Sequence, residues 1–142
     1  MAARTKARKR ALDILFESDQ RGSNVGEVLA ERRRESGAQT ALPEYSATIV
    51  EGVLERWADI DERLTNASHE WSLARMPAVD RALLRIGAWE ILYAEDVPRA
   101  VAIAEAIELA GQLSTDDSGR FINGVLASID AETTKDDGAP VE

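Results

Sequence analysis

The segment from Met76 to Tyr93, MPAVDRALLRIGAWEILY, constrains the fold more than any other part of the chain. Pro77 fits the first turn of a helix, where its missing N–H is not needed. Apolar side chains cover most of the helix circumference and leave a narrow polar strip of Asp80, Arg81 and Arg85. Such a helix is normally the buried centre of a bundle, and this one is too short and too charged to span a membrane. We therefore expect the other helices to pack around it.

The rest of the chain shows helical spacing of apolar residues and no sustained strand-like alternation, so an all-α fold of about seven helices is predicted. Gly22 is expected to end the first helix, and Asn24 with Glu27 is expected to form a capping box at the second. Val101 and Leu113 are expected to face inward. The helices predicted besides the central one are Arg4–Arg21, Val25–Arg34, Glu44 to about Asn66, a single turn at Ser72–Arg75, Arg99–Gln112 and Gly119 to about Ala131.

The predicted organisation is two helical halves followed by a tail. Residues 1–70 form the N-terminal half, which begins with a basic arm, and residues 71–132 form the C-terminal half. Residues 133–142 are polar and are predicted to be disordered. The hexapeptide Ile49–Leu54 is similar to Phe121–Leu126, and each carries a glycine in mid-helix, Gly52 and Gly124. A mid-helix glycine costs about 1 kcal/mol against alanine, which a close approach between helices would explain.

Charge is distributed unevenly along the chain. The net charge is −9, yet the first ten residues, which we call the basic arm, contain five cations and no acid. The remaining residues therefore carry −14. An acidic body repels polyanions, so a nucleic acid would contact mainly the arm. The alternative is that the arm is a frayed, solubilising terminus. The five cations are Arg4, Lys6, Arg8, Lys9 and Arg10.

The ingredients of common catalytic and metal sites are missing from the sequence. The chain has no cysteine and one histidine, His69. A disulfide, a thiolate metal site and a catalytic triad therefore lack the residues that they require. No glycine-rich phosphate loop or dinucleotide motif occurs. We therefore expect no enzyme activity, no cofactor and no metal. The absence of a secretory or transmembrane segment fits a cytoplasmic protein.

Six blocks of the sequence carry a family resemblance: Ala7-Arg-Lys-Arg-Ala-Leu-Asp-Ile-Leu-Phe16, Arg81-Ala-Leu-Leu-Arg85, Trp89-Glu-Ile-Leu, Asp96-Val-Pro98, Val101-Ala-Ile-Ala-Glu-Ala-Ile-Glu-Leu-Ala110 and Ser118-Gly-Arg-Phe-Ile-Asn-Gly-Val-Leu126. In their order and spacing, these blocks resemble the NusB family of bacterial transcription antitermination factors. The resemblance spans about Arg4 to Ala131, and the composition is most similar to the actinobacterial members. Ala104 and Gly111 depart from the family's usual asparagine and lysine.

The resemblance implies a non-catalytic helical protein that binds the boxA element of ribosomal RNA leader transcripts. It also implies partnership with NusE, a small-subunit ribosomal protein, and assembly on RNA polymerase to suppress premature termination. Ribosomal RNA methyltransferases also carry a NusB-like domain, but this chain ends before a methyltransferase domain could begin. A helical protein-binding adaptor, whose arm recruits an acidic partner, is the competing interpretation. A homodimer that buries the arm is a further possibility among related proteins.

The expected RNA contacts fall into two groups. Arg4, Lys6 and Arg8 match basic positions of the family's arm, to which Lys9 and Arg10 add charge, and Phe16 matches an aromatic position near the end of that arm. The second group is the turn before the last helix, where a helix N-terminus offers N–H groups to RNA. Core packing is the alternative for both phenylalanines, and N-capping for Asp117. The residues of the turn are Asp117, Ser118, Arg120 and Phe121.

Acidic side chains of the body are the expected contacts for NusE, since ribosomal proteins are usually basic. Four of them lie on the two helices that the resemblance implicates. They are Asp80, Glu90, Glu105 and Glu108.

Overall fold

A computed structural model describes residues 2–35, 41–69 and 71–133. These residues form seven α-helices and one short 3-10 turn, with no strand among them, so the predicted all-α fold is confirmed. Within this part of the chain, no helix has the length and apolar character needed to cross a membrane. Apart from Thr133, the predicted disordered tail lies outside the described residues. The elements are α1 (Ala3–Arg21), α2 (Val25–Glu35), α3 (Glu44–Glu55), α4 (Trp57–Ala67), the 3-10 turn Leu73–Arg75, α5 (Ala78–Tyr93), α6 (Arg99–Leu113) and α7 (Ser118–Glu132).

Helix α5 is the centre of the bundle, as its sequence predicts. Ten of its sixteen residues are buried, and it packs against α1, α3, α4, α6 and α7. Leu84 and Ile91 are completely buried in the core that these helices share. The neighbours of α5 come from both predicted halves, so the division at residue 70 remains a prediction.

The first two helices end and begin where the sequence indicates. Gly22 has a φ of 66° and forms the left-handed cap of α1. The side-chain oxygen of Asn24 accepts a hydrogen bond of 2.8 Å from the backbone N–H of Gly26 and caps α2. The glycine stop and the Asn24 half of the capping box are therefore confirmed, and the Glu27 half stays a prediction.

Two details of the helix predictions are wrong. The helix expected over Glu44–Asn66 is divided at Arg56, because α3 packs against α1, α2 and α5 whereas α4 packs against α5 and α7. A single straight helix could not make both sets of contacts. Val101 and Leu113 are 43% and 37% exposed, since the buried face of α6 is centred on Ala102, Ala106 and Leu109 instead.

The two mid-helix glycines have different surroundings. A Cβ added to Gly52 would lie 2.2 Å from Nε1 of Trp89, so a close approach of α3 to α5 explains this glycine. A Cβ added to Gly124 would meet nothing within 4 Å. The packing explanation is therefore confirmed for Gly52 and wrong for Gly124.

Alanine substitutions at these two glycines are expected to have opposite effects. Gly52→Ala should lower the free energy of unfolding by about 1–3 kcal/mol, because Trp89 must be displaced. Gly124→Ala should raise it by up to about 1 kcal/mol, because alanine favours the helix and the added methyl group has room. Urea unfolding followed by circular dichroism measures both. Equal effects at the two positions would contradict this account of the packing.

Candidate nucleic-acid interface

Residues 3–10 of the basic arm are part of α1, and the five cations on them do not all face the same way. Arg4 and Lys6 are exposed, and Lys9 and Arg10 are partly exposed. Arg8 is only 3% exposed. Arg8 is therefore not accessible to RNA in this structure, and its role as an RNA contact stays a prediction.

Arg8 is held by two carboxylates in the interior. Its Nε donates to both side-chain oxygens of Glu90, at 2.9 and 3.1 Å, and its Nη1 donates to Oε1 of Glu105 at 2.8 Å. Burial alone would lower the pKa of the guanidinium, but the hydrogen bonds and charge of Glu90 outweigh it and raise the pKa. Arg8 therefore stays charged and anchors α1 to α5 and α6.

Tyr45 and Thr5 complete this buried polar network. The Tyr45 hydroxyl donates to Glu90, and the Thr5 hydroxyl donates to Glu105 at 2.6 Å. Burial, together with the charge of Glu90, raises the pKa of Tyr45, so the phenol remains a donor. The Arg4 guanidinium lies 4.1 Å from the centre of the Tyr45 ring. The network thus fixes the start of α1 against three other helices.

The acidic side chains proposed as partner contacts also divide into two groups. Asp80 and Glu90 are 2% and 1% exposed, so the expectation that they lie on the surface is wrong. Each carboxylate is buried because partners from other helices satisfy it, Ser118 for Asp80 and Arg8 for Glu90. Glu105 is 21% exposed at its side chain. Glu108 is exposed on α6.

Phe16 lies on the surface of α1. It is 37% exposed, whereas Leu12, one turn earlier, is 2% exposed. Phe16 is therefore not part of the hydrophobic core, although most of its surface is covered. An exposed aromatic ring on the helix of the basic arm is available for stacking.

The second predicted group borders an open cleft of about 700 Å³ between the end of α4 and the start of α7, which we call the α4–α7 cleft. Ser118 is buried, and its hydroxyl donates to Oδ2 of Asp80 at 2.9 Å. This hydroxyl is therefore turned into the protein in this structure, and its contact with RNA stays a prediction. Asp117 and Arg120 are exposed, and Asp117 makes no side-chain cap to α7. Its carboxylate therefore faces solvent.

Phe121 has an aromatic partner that sequence reasoning missed. Trp71 is 47% exposed, and its ring centre lies 5.5 Å from that of Phe121 at an angle of 44°. Phe121 also packs against the core, so its core-packing alternative holds in part, and its contact with RNA stays a prediction. The sequence feature that could have identified Trp71 is that this tryptophan belongs to no periodic apolar face.

The arm and the α4–α7 cleft lie near opposite ends of α5. Asp80 borders the cleft, and Glu90 holds Arg8 of the arm. Ten residues of α-helix separate the two by about 15 Å along the axis. Across the ranges that the structure describes, no group of three or more side chains could hold a metal ion.

Comparisons with known proteins agree on one family. The model of the NusB family matches residues 5–131. The transcription antitermination protein NusB of Kineococcus radiotolerans is 58% identical over 129 residues, which cover 91% of this chain and 93% of that protein. The corresponding protein of a Nocardioides species is 55% identical, with 91% and 94% covered.

Solved structures share the fold. T. maritima NusB has a TM-score of 0.80 and 30% identity, with 93% of each chain covered. A crystal structure of the antitermination factors NusB and NusE in complex with dsRNA has a TM-score of 0.76 and 26% identity, covering 90% of this chain and 96% of that one.

Loss of the Glu90 charge is expected to destabilise the protein strongly. Glu90→Gln leaves Arg8 buried with only Glu105 as an ionic partner, so the free energy of unfolding should fall by about 3 kcal/mol. Glu108→Gln is the matched control, because Glu108 is exposed and contacts Gln112 of its own helix. It should change stability by less than about 0.5 kcal/mol. Chemical denaturation that finds the two variants equally stable would contradict the anchoring role of the pair.

Proposed function

This chain belongs to the NusB family, and on that premise we propose that it is a transcription antitermination factor that binds boxA RNA of ribosomal RNA leader transcripts together with NusE. It acts in the cytoplasm as part of the RNA polymerase antitermination complex. Its action is binding and not catalysis, as for the family. The observation that carries the proposal is the set of accessible cations on α1, in a chain whose other residues are strongly acidic.

The four accessible cations give the RNA one point of attachment. Arg4, Lys6, Lys9 and Arg10 are exposed or partly exposed, and Phe16 is 37% exposed on the same helix. Residues beyond the arm carry a net −14, so a polyanion is attracted to this helix and repelled elsewhere. The arm therefore contacts the RNA backbone, with Phe16 available to a base.

The α4–α7 cleft gives the RNA a second point of attachment. Stacking on Phe121 requires a base that is not already stacked in a duplex. A strand that reaches both the arm and the cleft must extend along α5 for about 15 Å. We therefore propose a single-stranded ligand. The structural neighbour that contains dsRNA makes a duplex the necessary competitor in any test.

The contacts for NusE are proposed on the outer face of α6. Glu108 is exposed and Glu105 is partly exposed, and Val101 next to them is 43% exposed. An apolar side chain beside carboxylates suits a basic protein partner. Asp80 and Glu90 are excluded from this surface by their burial.

RNA titrations should separate an RNA-binding factor from a protein-binding adaptor. We expect boxA RNA to bind more tightly than scrambled RNA or boxA duplex, and NusE to increase that preference. Fluorescence anisotropy with labelled RNA measures the affinities, and light scattering of the same samples detects a homodimer that dissociates when RNA binds. No preference for boxA RNA, with or without NusE, would contradict the proposal.

The salt dependence of binding should show how many cations contact phosphate. At about −0.7 per contact, four cations give a slope of about −2.8 for log affinity against log salt, whereas five would give about −3.5. Lys6→Gln should reduce the steepness by about 0.7. Arg34→Gln is the control, because Arg34 is exposed on α2 outside the arm, and the slope should not change. A slope near zero would exclude the arm as the site of RNA binding.

A further inference from the structure

We propose that Glu105 connects the basic arm with the outer face of α6: one oxygen of its carboxylate holds the arm, and the other binds a lysine or arginine of NusE. Binding of NusE to α6 thereby fixes the start of α1 and strengthens RNA binding by the arm. The inference rests on the proposed function and gives Glu105 a positioning role within it.

The two oxygens of the Glu105 carboxylate have different surroundings. Oε1 accepts hydrogen bonds from the Thr5 hydroxyl at 2.6 Å and from Nη1 of Arg8 at 2.8 Å, so both donors belong to the arm. Within the part of the chain that the structure describes, Oε2 accepts no hydrogen bond. The Glu105 side chain is 21% exposed, whereas that of Glu90 is 1% exposed. Glu105 is therefore the carboxylate of this network that a protein partner can reach.

The charges of the network favour a further cation at this carboxylate. Arg8 is the one guanidinium that Glu90 and Glu105 share, so these three groups sum to a charge of −1. The raised pKa of Tyr45 keeps its phenol neutral. Arg4 lies over the Tyr45 ring, but its guanidinium is paired with a carboxylate outside the network. A basic side chain at Oε2 of Glu105 would therefore be attracted electrostatically.

Glu105 lies in the middle of the surface proposed for NusE. Val101, Glu105 and Glu108 are spaced by four and three residues and so share one face of α6. Val101 is 43% exposed, and Glu108 is exposed. The residue that holds the arm thus lies between the apolar and the acidic contacts offered to a basic partner.

The coupling follows from the ordering of this carboxylate. Fixing a glutamate side chain costs conformational entropy. A NusE cation at Oε2 holds the carboxylate in the orientation in which Oε1 binds Thr5 and Arg8, so the RNA meets an arm that is already ordered. By linkage, RNA on the arm raises the affinity for NusE by the same factor. We define the coupling factor as the RNA affinity at saturating NusE divided by the RNA affinity without NusE.

The central test changes the arm side of the link. Fluorescence anisotropy of labelled boxA RNA, with and without saturating NusE, should give a coupling factor of at least about five for the unmodified protein. Thr5→Val removes the hydroxyl that donates to Glu105 and should reduce the factor about three- to fivefold. Thr48→Val is the matched control, because Thr48 is exposed on α3 and donates to the carbonyl of Glu44 in its own helix. Its factor should equal that of the unmodified protein.

A second pair of variants changes the side that faces NusE. Glu105→Gln keeps the shape and removes the charge, so it should weaken NusE binding about fivefold and also reduce the coupling factor. Glu108→Gln should weaken NusE binding and keep the coupling factor at saturating NusE, because Glu108 bonds Gln112 of its own helix and not the arm. Thermal unfolding of each variant verifies that it is folded. If Glu105 served stability alone, its replacement would weaken RNA binding equally with and without NusE.

Three results would overturn the proposal and leave the proposed function intact. The first is a coupling factor near one in an unmodified protein that binds both RNA and NusE. The second is a factor that stays the same in Thr5→Val and Glu105→Gln. The third is an equal reduction in Glu108→Gln, which would assign the coupling to the whole NusE surface. If the unmodified protein does not prefer boxA RNA or does not bind NusE, the proposed function itself fails.

Discussion

The buried ion pair between Arg8 and Glu90 fixes how the first helix is presented. A charge of this kind is strongly destabilising when it loses its partner, so α1 must be rotated until Arg8 faces α5. Positions two residues away on a helix lie about 200° around its axis, which turns Lys6 and Arg10 away from α5. One cation of the arm is thus withdrawn from solvent, and Lys6 and Arg10 are turned outward on the same helix.

A second buried carboxylate organises the other end of α5. Asp80 accepts hydrogen bonds from Ser114 and Ser118, which lie at the end of α6 and the start of α7. These bonds tie the first turn of α7 to the centre of the bundle and so position Phe121 at the edge of the cleft. The central helix therefore carries an acid near each end, and each acid aligns one element of the proposed RNA interface.

The apolar pattern predicted the central helix, because nearly all faces of α5 are buried and its sequence is apolar nearly all round. The buried acids were not predictable in the same way. Periodicity assigns apolar faces, whereas the burial of a carboxylate depends on its partner, and Glu90 lies 82 residues from Arg8 in the chain. The break at Arg56 has no proline or glycine to signal it. The resemblance indicated Phe121 but gave no reason to consider Trp71, whose ring centre lies 5.5 Å from that of Phe121.

The separation of the arm from the cleft has a consequence for recognition. Phosphate contacts carry little sequence information and weaken with salt, whereas contacts with base edges and faces carry specificity. In this chain the accessible cations lie on α1, and the aromatic pair of Trp71 and Phe121 lies about 15 Å away along α5. The proposed function therefore assigns affinity and base preference to different helices. Under that proposal, a substitution in the arm is expected to change how tightly all RNAs bind, and one in the cleft to change which RNA is preferred.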